Sequence, residues 1–114
     1  MAQMNFRKFQ KQCYANAWIV EGRGSKQIHI YVRRSRGPYL LNHGDYQLAN
    51  MQAKAPGNGA LTKFLDQWEP ECDFYFEHVL TERLAAYLEK RGYENVTTDE
   101  RALAPSYLRR RKKK

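Results

Sequence analysis

The chain has 114 residues, enough for one folded domain with a hydrophobic core but not for two. Its hydrophobic fraction of 42% and aromatic fraction of 13% exclude a disordered chain. The apolar runs are too short for a membrane span and the N-terminus lacks the apolar core of a signal peptide, so we expect a cytoplasmic protein without membrane contact.

The net charge of +8 is unevenly distributed along the chain. Residues 1–63 carry ten Lys/Arg and two acidic residues, whereas residues 64–108 carry four and ten. The last six residues, Arg109 to Lys114, are all basic. We therefore predict a single domain over residues 1–108 and a basic flexible tail over 109–114, which would give nonspecific contact with nucleic acid.

The first third of the chain predicts a short helix followed by a β-hairpin. Apolar residues spaced by three and four over residues 1–14 indicate an amphipathic helix. An apolar run at residues 16–21 and an alternating stretch at 26–35 are typical of strands, and the glycines at 22–25 would turn the chain between them.

The second of these strands has one apolar face and one polar face. Ile28, Ile30 and Val32 would point into the core. The opposite face is formed by Gln27, His29, Tyr31 and Arg33. Two interpretations of that face remain open: a platform for nucleic acid, or a solvated sheet surface.

A brief strand is predicted at residues 39–41, before a turn that contains His43 and Asp45. These two residues could act as a base and its orienting group, or they could serve as ordinary turn residues. Because His29, His43 and His78 are scattered and the two cysteines form no pair, we predict no metal site.

The central stretch predicts a strand, a tight turn and a helix. Tyr46 to Ala53 contains no breaker, residues 56–59 are Pro-Gly-Asn-Gly, and apolar residues then recur at helical spacing from Leu61 to Trp68. The first amides of a helix lack internal acceptors, and glycines allow a phosphate to approach them. The loop therefore suits an anion, although such loops also serve merely to turn the chain.

The remaining sequence predicts a strand at 73–80, a helix that begins after Thr81 and stops at Gly92, and a last strand at 93–96. Residues 99–107 are predicted to be irregular or weakly helical.

Two segments resemble the GNAT (GCN5-related) N-acyltransferases. Lys54-Ala55-Pro56-Gly57-Asn58-Gly59-Ala60 is similar to the loop of that family which binds the pyrophosphate of acetyl-CoA. Residues 85–93, AAYLEKRGY, resemble the family's ending of the following helix. The stretch 76–84 is similar to small acetyltransferase-like proteins of tailed bacteriophages.

The resemblance implies a site. Its cofactor-binding residues would be Leu48, Met51, Lys54, Ala55, Gly57, Asn58, Gly59 and Ala60. The family's general-acid tyrosine falls at Leu88, which makes the adjacent Tyr87 the candidate in its place. The strand before the loop contains no glutamate, so Asp45, Glu77 and His78 are the candidates for the base.

The fold that follows is α/β (α+β), with a single mixed, mostly antiparallel central sheet and helices on both faces. The implied function is transfer of an acetyl group from acetyl-CoA to an amine of a host protein or a small molecule. The alternative is an inactive protein of the same fold that binds a host protein or nucleic acid through its basic segments.

Overall fold

We describe the fold from a computed structural model, which describes residues 4–36, 44–53, 59–77, 79, 81–97 and 104–110. These residues form three α-helices and six strands. In chain order they are α1 (Phe6–Lys11), β1 (Asn16–Glu21), β2 (Ile28–Arg34), β3 (Tyr46–Ala53), α2 (Ala60–Trp68), β4 (Phe74–Phe76), α3 (Glu82–Lys90), β5 (Glu94–Asn95) and β6 (Tyr107–Arg109). None of the described helices is long and apolar enough to span a membrane.

The strands form one sheet in the order β1-β2-β3-β4-β6-β5. Each neighbouring pair is antiparallel except β3 and β4, which run parallel. A parallel pair needs a crossover connection, and α2 lies in that connection. The predicted mixed, mostly antiparallel sheet is therefore confirmed.

The core lies on one face of the sheet. Side chains on that face are almost completely buried, among them Ile19, Ile30, Leu48, Phe74 and Phe76. The alternate residues of β2 and β4 are half-buried or exposed.

All three described α-helices pack on the core face, and α2 contacts both of the others. The Phe6 ring of α1 meets the Trp68 ring of α2 edge-on at 4.9 Å, and the Tyr87 hydroxyl of α3 bonds to Thr62 of α2. The prediction of helices on both faces is therefore wrong for the described elements. The stretch 73–80 has apolar residues on both sides of the strand, which predicted helices over both faces of the sheet. In the structure Tyr75, on the far face, is only half-buried.

Local capping explains where α1 and α3 begin. The Asn5 side chain accepts a hydrogen bond from the Lys8 amide at 2.9 Å, and the Thr81 hydroxyl accepts one from the Leu84 amide at 3.2 Å. Helix α3 ends where Gly92 adopts a left-handed φ of 91° and the Tyr93 amide donates to the Leu88 carbonyl.

Two predicted elements differ from the structure. The strand expected over 73–80 is paired only from Phe74 to Phe76. The unpredicted strand β6 begins at Tyr107, the last residue of the stretch predicted to be irregular, and lies between β4 and β5. Burial of Tyr107 and Leu108 holds β6 in place. The sheet thus extends to Arg109, the first residue of the predicted tail, and the brief strand at 39–41 lies outside the described residues.

A buried ionic cluster joins the C-terminal ends of α2 and α3. The Glu69 carboxylate accepts hydrogen bonds from Arg91 Nη2 at 2.5 Å, from Arg91 Nε at 3.2 Å and from the Tyr93 hydroxyl at 2.9 Å. Arg91 also pairs with the exposed Asp66 at 2.7 Å. The hydrogen bond to Glu69 raises the pKa of Arg91, and burial raises the pKa of Tyr93. This cluster fixes the orientation of α2 on the sheet.

Glu21 provides a pH-dependent contribution to stability. Its carboxylate accepts the Phe6 amide at 2.7 Å, and burial raises the pKa of Glu21 above the ordinary value of 4.5, although that hydrogen bond and Arg7 act in the opposite direction. A raised pKa means that this contribution is full below pH 4.5 and is lost as pH rises through the folded-state pKa.

We therefore expect Glu21→Gln, which keeps an acceptor but cannot ionise, to gain stability relative to the wild type between pH 4 and pH 7. Urea unfolding at several pH values measures the difference in unfolding free energy. If the difference in unfolding free energy between variant and wild type does not change with pH, or if the wild type becomes relatively more stable as pH rises, the pKa of Glu21 is not raised in the folded state.

Candidate functional site

A cleft opens where β3 and β4 diverge. Their parallel pairing runs from Tyr46 opposite Phe74 to Leu48 opposite Phe76, and the Glu77 amide makes a last hydrogen bond to the Leu48 carbonyl at 3.3 Å. Beyond that point β3 continues to Ala53, whereas β4 has ended. The two strands that flank α2 are thus apart at the end where α2 begins.

A β-bulge in β3 lies at the point of divergence. Val32 faces Leu48 and Tyr31 faces Asn50, so Ala49 is the extra residue on β3. Bulges bend a strand and re-aim its backbone groups. Just after it, the Met51 amide donates to the side-chain oxygen of Asn50 at 2.8 Å. That amide is available to a ligand that can replace the Asn50 side chain.

The cleft has a volume of about 350 Å³, within the range of small-molecule sites. Its walls are mostly apolar, with a carboxylate, an amide and a hydroxyl among them. The lining residues are Leu48, Ala49, Asn50, Met51, Phe76, Glu77, Val79, Thr81 and Leu84. The sequence-predicted residues Leu48, Met51 and Glu77 are therefore brought together here.

The N-terminus of α2 is accessible at Gly59. This residue caps the helix with a left-handed φ of 78° and has no side chain that could accept hydrogen bonds from the first amides. The amides of Ala60 to Thr62 belong to the first turn and therefore have no acceptor within the helix. Among the described residues, no heavy atom lies within 4 Å of the position that a Cβ at Gly59 would occupy. Helix dipoles leave about half a positive charge at such an end, which favours an anion.

Glu77 is held by an arginine from a distant strand. Arg33 Nη1 lies 3.0 Å from Glu77 Oε2, and the two side chains are 46% and 27% exposed. The Arg33 guanidinium also lies 5.6 Å from the centre of the Tyr31 ring. The carboxylate therefore has a defined position at the cleft wall while remaining accessible to solvent.

Tyr87 is placed away from the lining of this cleft. Its hydroxyl is 2.5 Å from the Thr62 hydroxyl, in the first turn of α2, and its ring lies 5.8 Å from the Arg91 guanidinium. Leu88, at the position of the family's tyrosine, is fully buried. Tyr87 thus joins α3 to the first turn of α2.

The other predicted residues divide into two groups. Asp45 has a structural role, because its carboxylate accepts the Asp73 amide at 2.9 Å just before β4 begins. Lys54, Ala55, Gly57, Asn58 and His78 lie outside the described residues.

Sequence reasoning missed Arg33, Thr81 and Leu84 as parts of this site. Thr81 was recognised only as the start of a helix. The Arg33 pair spans 44 residues of sequence, and no local pattern indicates it.

Comparison of the chain with models of protein families, with curated proteins and with solved structures gives no significant match. The features that indicate a function are therefore the cleft, the start of α2 and the resemblance of two segments to the GNAT family.

Proposed function

We propose that this protein binds acetyl-CoA in the cleft between β3 and β4 and transfers the acetyl group to an amine of a protein or small molecule. The observation that carries the proposal is the divergence of the two parallel strands at the end of β3 from which the chain passes to α2. An elongated ligand with an anionic end matches an apolar cleft together with helix amides that have no acceptor within α2.

The described residues would contact acetyl-CoA along two stretches. The β3 backbone from Leu48 to Met51 would bond to the pantetheine chain, with the Met51 amide exchanging its Asn50 partner for a ligand carbonyl. The amides of Gly59 and Ala60 would contact the pyrophosphate. The predicted loop residues Lys54 to Asn58 would complete that contact under the same proposal.

Glu77 is the group best placed to act as the base. In the proposed transfer the amine nitrogen bonds to the thioester carbon, the carbon–sulfur bond breaks with its electron pair on sulfur, and the amine proton moves to the Glu77 carboxylate. Arg33 would hold that carboxylate in position through their 3.0 Å contact. Since reactions of this type depend largely on positioning, an acidic tyrosine at Leu88 is not required.

A second candidate function is acyl-CoA binding without transfer, in a protein that acts through its partners. The observation that favours it concerns the two positions considered for a general-acid tyrosine. Position 88 is a buried leucine, and the Tyr87 hydroxyl contacts Thr62. Under this candidate acetyl-CoA would bind, but no thiol would be released in the presence of amines.

A thermal-shift titration with acetyl-CoA tests the shared binding step. At a concentration of 100 times the dissociation constant, binding should add about 2.7 kcal/mol to the unfolding free energy. No shift would contradict both candidates.

Gly59→Asp and Gly59→Asn form a matched pair for the anion contact. Both residues tolerate a left-handed φ and both can cap a helix, so they differ chiefly in charge. We expect the aspartate to abolish the thermal shift and the asparagine to keep most of it. Equal shifts in the two variants would show that no anion sits at the start of α2.

A further inference from the structure

An exposed row of aromatic and cationic side chains crosses β1 and β2 on the sheet face opposite the helices. Trp18 on β1 is 46% exposed, although it is one of the largest apolar side chains in the protein. Its ring lies 5.5 Å from that of Tyr31, its direct neighbour on β2. Arg33 lies beside Tyr31 at 5.6 Å, so the three form a continuous surface.

This row contributes little to the core. The neighbouring Ile19 and Ile30 point to the other face and are fully buried beneath the helices. The Trp18 ring therefore packs on one side against Tyr31 while nearly half of its surface meets water. An exposed tryptophan next to a tyrosine offers flat surfaces on which other rings can stack.

Positive charge gathers at the adjoining end of the sheet. The register aligns Arg109 with Phe74, Phe74 with Tyr46 and Tyr46 with Arg34, so the ends of β6 and β2 share one edge. Arg36 follows β2 and is exposed, and in sequence Arg109 is followed by five more basic residues. Acidic side chains among the described residues also lie near this region. Glu77 pairs with Arg33, Asp73 lies 3.7 Å from Arg110, and the Asp45 carboxylate accepts the Asp73 amide.

We propose that this face binds single-stranded nucleic acid, with bases stacked on Trp18 and Tyr31 and phosphates at Arg33 and the basic end of the sheet. Aromatic side chains on an open sheet stack unpaired bases whatever their identity, and neighbouring cations contact the backbone. A duplex hides its base faces, and a peptide would need both aromatic and acidic side chains in the right order, whereas every nucleotide of a single strand carries a ring and a phosphate. The surface shares Arg33 with the proposed acetyl-transfer site, where this side chain contacts Glu77, but Trp18 and Tyr31 take no part in that site.

Fluorescence titration of the full chain with a 15-nucleotide oligo-dT, at about 50 mM salt, tests the proposal. We expect quenching of tryptophan emission and an affinity that falls as salt rises, with a slope of about 0.7 per contacted phosphate. By anisotropy with a labelled oligonucleotide, Trp18→Ala should bind about fivefold to a hundredfold more weakly, the range for stacking one base. Trp18→Phe, which keeps a ring, should recover most of that loss.

Two controls separate stacking from simple charge attraction. Tyr14→Ala removes the other large aromatic that is exposed among the described residues; it packs near Phe9 on the side of α1, and its variant should bind like the wild type. Deletion of residues 111–114 should weaken binding and reduce the salt slope while the effect of Trp18→Ala persists. The proposal is overturned if no binding occurs, if a duplex of equal length binds as tightly, or if Trp18→Ala binds like the wild type.

Discussion

Replacing Glu77 with glutamine should slow acetyl transfer by about 10²- to 10⁴-fold, the range expected on loss of a positioned general base. The glutamine keeps the size of the side chain and still accepts a hydrogen bond from Arg33, but it cannot take the amine proton. Under the proposal Glu77 would contact the amine and not the pyrophosphate, so the affinity for acetyl-CoA should change little. Release of the CoA thiol in the presence of spermidine or a lysine-rich peptide measures the rate.

Glu82→Gln is the matched control for that substitution. Glu82 is an exposed carboxylate in the first turn of α3, next to the cleft residue Thr81 but absent from the cleft lining. Its variant should turn over like the wild type. Wild-type turnover by Glu77→Gln would show that Glu77 is not the base. If the wild type and both variants bind acetyl-CoA but none of them releases the CoA thiol, the result favours binding without transfer.

Replacing Glu69 with leucine should reduce the unfolding free energy by about 3–5 kcal/mol. The side chain is 7% exposed and accepts hydrogen bonds from Arg91 and Tyr93, so its removal leaves a guanidinium and a hydroxyl without their buried acceptor. Urea unfolding followed by circular dichroism measures the change. The affinity for acetyl-CoA should fall as well, because the cluster orients α2.

Asp66→Asn provides the comparison for Glu69, since Asp66 pairs with the same guanidinium. Its side chain is 64% exposed, and exposed pairs contribute about 1 kcal/mol or less. Similar losses from the two substitutions would contradict the view that burial makes the Glu69 cluster important.

Elements with strong local signals were predictable from the sequence. Strand β3 has the predicted bounds, and α2 and α3 follow from helical spacing together with Gly59 and Thr81. Strand β6 was not predictable, because its three residues are held by pairing with β4 and β5 and not by a pattern of their own.

The candidate site was likewise predictable only in part from the sequence. Leu48, Met51 and Glu77 were named from the resemblance and do line one cleft, but the bulge at Ala49 that shapes it depends on the register with β2. The contact between Arg33 and Glu77 joins residues far apart in sequence, so it needed the fold. The position of all three described helices on one face likewise results from contacts between helices, which periodicity cannot reveal.

Acetyl-CoA should place its pantetheine chain in the opening between β3 and β4. An NMR titration of ¹⁵N-labelled protein that follows the backbone amide of Met51 reports on this placement. We predict that this amide shifts strongly as its bond to Asn50 is replaced, and that it saturates with the same dissociation constant as the amides of Gly59 and Ala60. If acetyl-CoA binds without shifting the Met51 amide, or does not bind at all, the pantetheine chain does not occupy this opening.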